Sequence, residues 1–332
     1  MFESDGKRKE LQAIGNAICT GFLLLVDVKD STDRKDEFKR QWVPQMELLY
    51  GEFRRFVHEV HGVIKAWKGG MIAHGGVVPN PIGPMGQDPA AALGDSGGSR
   101  GSEESREREP VVKFIGDGCL AFFPWETSRD ERGNLESVDH ELAANIVRMV
   151  LAFREAVCSD DDLHAMRLKT VVAFLTNINQ VEIEGQSDIL GRGIDFCFRL
   201  EKFADGTHIV MNDYLRKILD LREGGVTRFG GSEYDVVACR KKMKGWEEPQ
   251  SFYLLVRTED IENYLTAAPS PYQEDVRTEL IGYLIGKWRS RGPEKRSSWF
   301  GRAEKVGPEK RSSWSGQTEE VPATGAGETH GP

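Results

Sequence analysis

The most constraining feature of the sequence is a pair of short apolar runs that meet at a glycine-rich turn. Residues 111–123 are hydrophobic on both sides of Gly116, Asp117 and Gly118. Two such runs split by turn-forming residues are typical of a β-hairpin. Residues 22–28 form a similar run with the composition of a buried central strand. A sheet built from these apolar strands requires other elements packed on at least one of its faces.

Two segments have the spacing of helices that lie on such a sheet, because their apolar residues recur at intervals of three and four. These residues are Trp42, Met46, Leu49, Phe53, Phe56 and Val60 in the first segment, and Leu142, Ile146, Met149, Phe153 and Val157 in the second. Further strands are expected at 168–175, at 208–211 and near Val236 and Phe252. A polar stretch follows residue 175, and a helix is expected from about Gly193. The pattern predicts an α+β sandwich, a sheet with helices packed on it.

Other segments have the composition of linkers. Residues 69–110 are rich in Gly, Pro, Ser and acidic residues, and we expect a disordered insertion there. Residues 291–332 carry a duplicated octapeptide, Gly-Pro-Glu-Lys-Arg-Ser-Ser-Trp, whose second copy begins at Gly307, and are expected to form a disordered tail. The expected organisation is a leader at 1–20, a folded domain at 21–260, a helical segment at 261–290 and this tail.

Composition excludes several functional classes. The 332 residues carry a formal net charge of −9, whereas non-specific binding to nucleic-acid phosphates needs a surplus of Lys and Arg. The five cysteines are scattered without a Cys-x-x-Cys pair, which argues against a disulfide framework and a zinc site. No apolar run approaches the ~20 residues of a membrane span. We therefore expect a cytoplasmic protein that binds no nucleic acid, has no membrane span, and acts on a small molecule or another protein.

Two aspartates occupy positions where an unpaired carboxylate is costly. Asp27 lies near the end of the first apolar strand, and Asp117 lies in the hairpin turn. In a structural interpretation, Asp117 forms the turn and Asp27 caps a neighbouring helix. In a functional interpretation, adjacent strands bring the two carboxylates together to hold two divalent cations. Such a pair of cations stabilises the attacking and leaving oxygens of a phosphoryl transfer.

Four blocks surround these aspartates in order and extend beyond them. The first begins at Val26 and reads Val-Asp-Val-Lys-Asp-Ser-Thr, and the second begins at Lys113 and reads Lys-Phe-Ile-Gly-Asp. The third begins at Asp188 and reads Asp-Ile-Leu-Gly-Arg-Gly-Ile-Asp-Phe-Cys-Phe-Arg-Leu-Glu. The fourth begins at Met243 and reads Met-Lys-Gly-Trp-Glu-Glu-Pro-Gln-Ser-Phe-Tyr. The blocks resemble, in order, the motifs of the class III adenylyl and guanylyl cyclase catalytic domain. The resemblance implies a ferredoxin-like βαββαβ catalytic domain at 21–260 with an antiparallel-rich sheet. It also implies conversion of a nucleoside triphosphate into a 3′,5′-cyclic monophosphate and diphosphate.

The resemblance assigns the phosphate chemistry to five positions. Asp27, Asp117 and the backbone of Val28 would bind two Mn²⁺ or Mg²⁺ ions. Arg199 would neutralise charge on the transferred phosphate, which suits a planar, permanently charged guanidinium. Lys244 would reach the terminal phosphates. A simpler interpretation makes Arg199 a surface helix residue and Lys244 a solvated lysine. No protein nucleophile is needed, because the substrate's own 3′-hydroxyl attacks.

One implied catalytic position departs from the family pattern. Asp195 stands where the family usually has an Asn that orients the ribose. An Asp can accept a hydrogen bond from a ribose hydroxyl but cannot donate one, and it adds negative charge near the phosphates. The departure puts the role of Asp195 in doubt more than the resemblance as a whole.

Lys113 and Asp188 are implied to read the edge of the base. A cation donates to a ring nitrogen and a carboxylate accepts from an exocyclic amine, so this pair fits adenine or cytosine. The domain layout is instead similar to that of stand-alone pyrimidine cyclases of the Pycsar antiphage type, which make cyclic UMP or cyclic CMP. We therefore expect UTP or CTP as the substrate, with ATP as the alternative, and a downstream cyclic-nucleotide-binding effector.

The resemblance also implies a homodimer with shared sites, in which one subunit supplies the metal carboxylates and its partner supplies the base-reading residues and the arginine. The alternative outside enzymology is a degenerate cyclase fold that serves as a regulatory or dimerisation module. Retention of Asp27, Asp117 and Arg199 argues against that alternative.

Overall fold

The computed structural model describes residues 17–70, 108–125, 138–163, 166–183, 186–260, 278 and 282–283. Most of the expected insertion and of the expected 261–290 segment lies outside these residues, and the expected tail lies wholly outside them. The described part of the chain forms one mixed sheet with helices on its faces.

The described chain contains nine strands and five helices. The strands are β1 (Ala17–Val28), β2 (Val111–Ile115), β3 (Gly118–Trp125), β4 (Leu168–Ile183), β5 (Gln186–Leu190), β6 (His208–Asn212), β7 (Val226–Phe229), β8 (Ser232–Lys241) and β9 (Gln250–Arg257). The helices are α1 (Ser31–Phe38), α2 (Trp42–Lys68), α3 (His140–Ser159), α4 (Arg192–Leu200) and α5 (Asp213–Ile218). Short 3₁₀ turns lie at Lys39–Gln41, Glu201–Phe203 and Thr258–Asp260.

The sheet has a ferredoxin-like core with an extension. Its strand order is β2-β3-β1-β4-β6-β9-β8-β7, and β5 pairs with β4. Strands β2, β3, β1 and β4 pair antiparallel, with α2 following β1 and α3 following β3. This is the βαββαβ arrangement. Strand β6 joins parallel to β4, and the remaining strands continue antiparallel. The expected α+β fold with an antiparallel-rich sheet is confirmed.

Helices α2 and α3 cover one face of the sheet. All eleven apolar residues whose spacing predicted these helices are buried. Phe153 of α3 packs between Phe53 and Phe56 of α2, with ring centroids 6.0 and 4.7 Å away. Burial of each such side chain contributes roughly 1.5–3 kcal/mol to folding. Alternate residues of β1, such as Leu24 and Val26, join this core. The side chain of Asp27 therefore points to the opposite face of the sheet, because successive side chains of a strand alternate.

The structure differs from the sequence-based expectation at the polar stretch that follows residue 175. Strand β4 continues through it to Ile183, and β5 pairs with its far end. The near part of this extension pairs with the start of β1, where Ala17 lies opposite Gln180. Strand β1 thus begins within the expected leader. Strand pairing stabilises this arm although its residues lack a strong strand pattern.

Three short elements, α1, α5 and β7, are additions to the predicted set, since the pattern gave no signal for them. Among the helices that the structure describes, none combines the length and the apolar character needed to cross a membrane.

The close approach of β1 to β3 at Gly21 leads to a stability prediction. A methyl group at Gly21 would overlap the carbonyl oxygen of Phe123 and lie 2.8 Å from the ring of Phe122. We expect Gly21→Ala to lower the free energy of unfolding by about 1–3 kcal/mol, as overpacking does. Gly51 in α2 is the matched control, because a methyl group there meets nothing within 4 Å. Gly51→Ala should raise the free energy of unfolding by about 0.5–1 kcal/mol.

Urea denaturation of the two variants measures both changes. Equal stability of Gly21→Ala and the wild-type protein would contradict the tight contact between β1 and β3.

Candidate functional site

The two aspartates meet where β1 ends beside the β2–β3 turn. Asp27 in β1 pairs with Gly118 in β3, and Asp117 directly precedes that glycine. A methyl group on Gly118 would lie 3.4 Å from Asp27 Oδ1. The bare glycine therefore keeps the space beside this carboxylate open. Gly116 has a φ of 63°, which favours glycine and allows the tight turn that presents Asp117.

A lysine on the neighbouring strand holds Asp27. Lys169 Nζ donates hydrogen bonds to Asp27 Oδ2 at 2.9 Å and to Glu201 Oε1 at 3.0 Å. Although burial opposes it, the hydrogen bond to Asp27 and the charge of Glu201 raise the pKa of Lys169. Burial is also the main cause that raises the pKa of the Glu201 carboxyl, and the charge of Asp27 adds to it, whereas Lys169 opposes the rise. Lys169 is thus the cation that allows two carboxylates to lie together.

The second carboxylate has a looser partner. Lys35 Nζ lies 3.7 Å from Asp117 Oδ2, and 45% of the Lys35 side chain is exposed. Tyr50 in α2 donates a hydrogen bond to the carbonyl oxygen of Gly116 and ties the turn to that helix. The turn is therefore fixed by its backbone, while the Asp117 carboxylate has only a long contact with a half-exposed lysine.

The oxygen atoms at this end of the sheet fit a hard divalent cation. Mg²⁺ is usually held by one or two carboxylates together with substrate phosphates. Asp27 and Asp117 would supply the carboxylates, and Val28, the last residue of β1, would contribute through its backbone. Within the described ranges, no group of three or more His, Cys, Asp or Glu side chains is arranged to hold a metal ion.

The predicted base-reading residues contact each other directly. Lys113 of β2 donates a hydrogen bond to Asp188 of β5. The backbone N–H of Ile189 donates to the same carboxylate at 2.6 Å. The side chains are 33% and 23% exposed, so a ligand can reach both. The pair presents a donor beside an acceptor.

The predicted arginine lies on α4 and packs against an aromatic ring. The guanidinium of Arg199 lies 5.2 Å from the ring centroid of Trp246, and Arg192 lies 5.0 Å from the same ring. Arg199 Nε is buried and has no hydrogen-bond partner among the residues that the structure describes. Asp195 is exposed and lies four residues before Arg199, which places both on one helix face. Cation–π stacking thus holds the guanidinium plane without consuming its donors.

The β8–β9 loop brings Lys244 to the same helix. The Arg192 side chain donates to the carbonyl oxygen of Gly245 at 3.4 Å. A methyl group on Gly245 would lie 3.8 Å from a terminal nitrogen of Arg199. Lys244 precedes this glycine, and its side chain is exposed. The loop and α4 together therefore form a basic surface around Trp246.

The predicted residues thus form three clusters. These are the carboxylates Asp27 and Asp117, the pair Lys113 and Asp188, and the α4 group, which consists of Arg199, Asp195 and the neighbouring Lys244. No hydrogen bond or ion pair joins the three clusters directly within the described ranges. The indirect link is Glu201, which follows α4 and reaches Asp27 through Lys169. Sequence reasoning missed Lys169 and Glu201. The signal for Glu201 was its place at the end of the third block, whereas Lys169 is identified by strand register alone.

The fold is similar to those of several solved cyclases. The guanylyl cyclase Cya2 is 11% identical, with a TM-score of 0.46 over 73% of this chain and 94% of that chain. The adenylyl cyclase CyaB from P. aeruginosa is 14% identical, with a TM-score of 0.40 over 73% and 96%. An adenylate cyclase from Trypanosoma brucei in its monomeric state is 10% identical, with a TM-score of 0.41 over 71% and 87%. No protein-family model matches the chain, and no curated protein matches it.

The Lys169 bridge leads to a prediction about pH. We expect Lys169→Met to lower the free energy of unfolding by about 1–3 kcal/mol near pH 8, because Asp27 and Glu201 lose the cation between them. The pKa of Glu201 would rise further, so the folded variant would hold a proton that the unfolded chain releases. Stability of the variant should therefore recover as the pH falls from about 8 to about 5.

Lys35→Met is the matched control, since the Lys35 side chain is 45% exposed and lies 3.7 Å from its partner Asp117, and an exposed ion pair contributes only about 0–1 kcal/mol. Urea unfolding in the presence of a chelator measures both variants across this pH range. A loss in Lys169→Met that is constant with pH would show that the two carboxylates do not interact.

Proposed function

We propose that the protein is a nucleotidyl cyclase, which closes a nucleoside triphosphate into a 3′,5′-cyclic monophosphate and releases diphosphate. The observation that carries the proposal is the strand pairing that sets Asp117 beside Asp27 at one end of a ferredoxin-like sheet. Two carboxylates beside an open space suit a pair of divalent cations. The sequence blocks that contain them resemble cyclase motifs, which supports the same reaction.

Asp27, Asp117 and the carbonyl of Val28 would hold the two Mn²⁺ or Mg²⁺ ions. When bound, these ions lower the pKa of the 3′-hydroxyl and neutralise charge on the phosphates. Lys169 orients the Asp27 carboxylate through its hydrogen bond. It also balances the charge of Glu201, so that the carboxylates do not repel each other.

Arg199 would neutralise charge on the transferred phosphate. Its Nε–H is buried without a partner in the described structure, and Trp246 fixes the plane of its guanidinium. A donor held in place before the reaction costs no reorganisation when the charge develops. Lys244 would bind the terminal phosphates from the exposed loop. Asp195 would accept a hydrogen bond from a ribose hydroxyl one helical turn away from Arg199.

We further propose that Lys113 and Asp188 select the base. Their direct contact supports a joint role. The edge of one base can take the place of this contact if it carries a donor for the Asp188 carboxylate beside an acceptor for the Lys113 ammonium. Cytosine and adenine present this pair of groups. The resemblance to pyrimidine cyclases of the Pycsar type favours CTP or UTP, with CTP preferred by this edge and ATP as the alternative. The product would then serve as a second messenger in antiphage defence, acting on a cyclic-nucleotide-binding effector.

A homodimer with shared sites is part of the proposal. Elements that carry the clusters expose large apolar side chains, namely Ile115 at the end of β2, Ile183 and Leu190 on the β4–β5 arm, and Phe198 on α4. Exposed apolar groups close to charged site residues are typical of an interface. A two-fold interface on this face would join the carboxylates of one chain to the α4 group of another.

Product analysis tests the proposed reaction. We expect purified full-length protein with Mn²⁺ to convert CTP or UTP, out of the four common nucleoside triphosphates, into the cyclic monophosphate and diphosphate, identified by mass spectrometry. Formation of cyclic AMP alone would keep the reaction and overturn the pyrimidine assignment. Absence of any cyclic product would contradict the proposed function.

Variants at the carboxylates serve as the control for this assay. Even outer-shell partners of metal ligands cost 10–100-fold when replaced, so Asp27→Asn and Asp117→Asn should each lower activity about 100-fold or more. Asp161 is an exposed acid outside the clusters, and Asp161→Asn should leave activity unchanged. Circular dichroism checks that the inactive variants fold.

Mixing two inactive variants tests the shared site. Neither Asp27→Ala nor Arg199→Ala should be active alone, whereas their mixture should recover about a quarter of wild-type activity. Random exchange makes about half of the dimers mixed, and one of the two sites in each mixed dimer is intact. An inactive mixture in which chromatography detects mixed dimers would place each site within one chain.

A further inference from the structure

A cavity of about 390 Å³ opens on the side of the sheet that faces α3. It lies between the C-terminal half of that helix, the beginnings of β4 and β6, and the strands β8 and β9. Leu168 lines it and belongs to the core under α2 and α3, whereas the next residue, Lys169, reaches Asp27 on the opposite face. The cavity is therefore separate from the proposed cyclase site. Its volume is within the range of small-molecule sites, about 300–1,000 Å³.

Arg154 of α3 lines this cavity with an unsatisfied donor. One of its terminal nitrogens donates to the carbonyl oxygen of Gly206 at 2.8 Å. Its Nε is buried and has no hydrogen-bond partner among the described residues. Burial lowers the pKa of the Arg154 guanidinium to about 10. A charged group removed from water is costly until an anion pairs with it.

Arg167 lies at the opening of the same cavity and is exposed. Its side-chain stem crosses Gly206, where a methyl group would come within 2.6 Å of Arg167 Cβ. The glycine thus makes room for the arginine to lie over the cavity. Within the described ranges, the Arg167 guanidinium forms no hydrogen bond or ion pair. Two arginines therefore offer unused donors to the same space.

The other charged groups of the cavity largely compensate each other. Arg257 lies 3.5 Å from Glu155 and 3.4 Å from Glu259. Burial raises the pKa of the Asp260 carboxyl, although the charge of Arg257 and, more weakly, those of Arg154 and Arg167 oppose the rise. The lining comprises three guanidinium groups and two carboxylates, and Glu259, which contacts Arg257 from outside the lining, is a third carboxylate nearby. Arg154 and Arg167 are therefore the two guanidinium groups of the lining that have no ion-pair partner in the described structure.

We propose that this cavity binds a small phosphate-bearing molecule, with Arg154 and Arg167 as the ligands of its phosphate. A phosphate has enough acceptor oxygens for two guanidinium groups, whereas a single guanidinium saturates a carboxylate. The cavity is larger than a phosphate alone requires. Its walls include Leu151, Leu168 and the buried Tyr234, which would contact the organic part of the ligand.

Equilibrium dialysis of the full-length protein with radiolabelled orthophosphate at constant ionic strength tests the site. We expect saturable binding that Arg167→Gln and Arg154→Lys each weaken about tenfold, as the loss of one charge-assisted hydrogen bond implies. Arg167 is exposed, so its replacement leaves the fold intact even if the Arg154 variant unfolds. Arg54→Gln is the matched control, because Arg54 is an exposed arginine of α2 that does not line the cavity.

Dialysis in the Arg199→Gln background removes any phosphate binding at the proposed cyclase site, and there the binding should remain saturable and still weaken about tenfold in Arg167→Gln. Equal binding with and without Arg167→Gln in that background would overturn the proposal. Ribose 5-phosphate should displace the label, whereas succinate at the same concentration should not. Displacement by succinate would overturn the preference for phosphate. These measurements do not depend on cyclase activity, so their outcome is independent of the proposed function.

Discussion

The pairing of β1 with two neighbours determines where the candidate site lies. On one side, β3 sets Gly118 opposite Asp27, and on the other side β4 sets Lys169 opposite the same residue. A shift of either pairing by one residue would turn the facing side chain to the other side of the sheet. The bulge near Gly21 is accommodated far from Asp27, at the other end of the strand. The register at the site is therefore regular on both sides.

Charge compensation is the second common feature of the site. Asp27 pairs with Lys169, Asp117 lies near Lys35, and Lys113 pairs with Asp188. The pairs at Asp117 and between Lys113 and Asp188 are partly exposed, so each contributes little to stability and can be exchanged for a ligand at small cost. Lys169 differs from them because it is shared by two carboxylates. Arg199 is not held by a carboxylate in the described structure. Its guanidinium stacks on the ring of Trp246, and its Nε has no acceptor there. A phosphate oxygen would satisfy that donor without displacing another partner.

Local patterns in the sequence were sufficient for the central elements. The hairpin turn around Gly116 and the apolar faces of α2 and α3 follow from turn chemistry and from helical periodicity, which neighbouring residues specify. The β4–β5 arm was missed because its stability comes from pairing between strands. The contact between Lys113 and Asp188 likewise depends on the folded chain, because it joins β2 and β5, which are not neighbours in the sheet. Lys169 belongs to no block, and its function follows from a register that only the folded chain defines.

Alternation along β4 gives the two faces of the sheet different chemistry. Leu168 faces the core and the arginine-lined cavity, while Lys169 faces the carboxylates. Lys29 links the same region from β1 by a backbone hydrogen bond to the carbonyl of Arg167 at 2.9 Å and an ion pair with Asp205 at 3.1 Å. Two consecutive residues of one strand thus belong to two separate charged environments. Pairing with β1 fixes the backbone of both residues, and pairing with β6 begins at the next residue, Thr170. The start of β4 is therefore a paired element that both environments share.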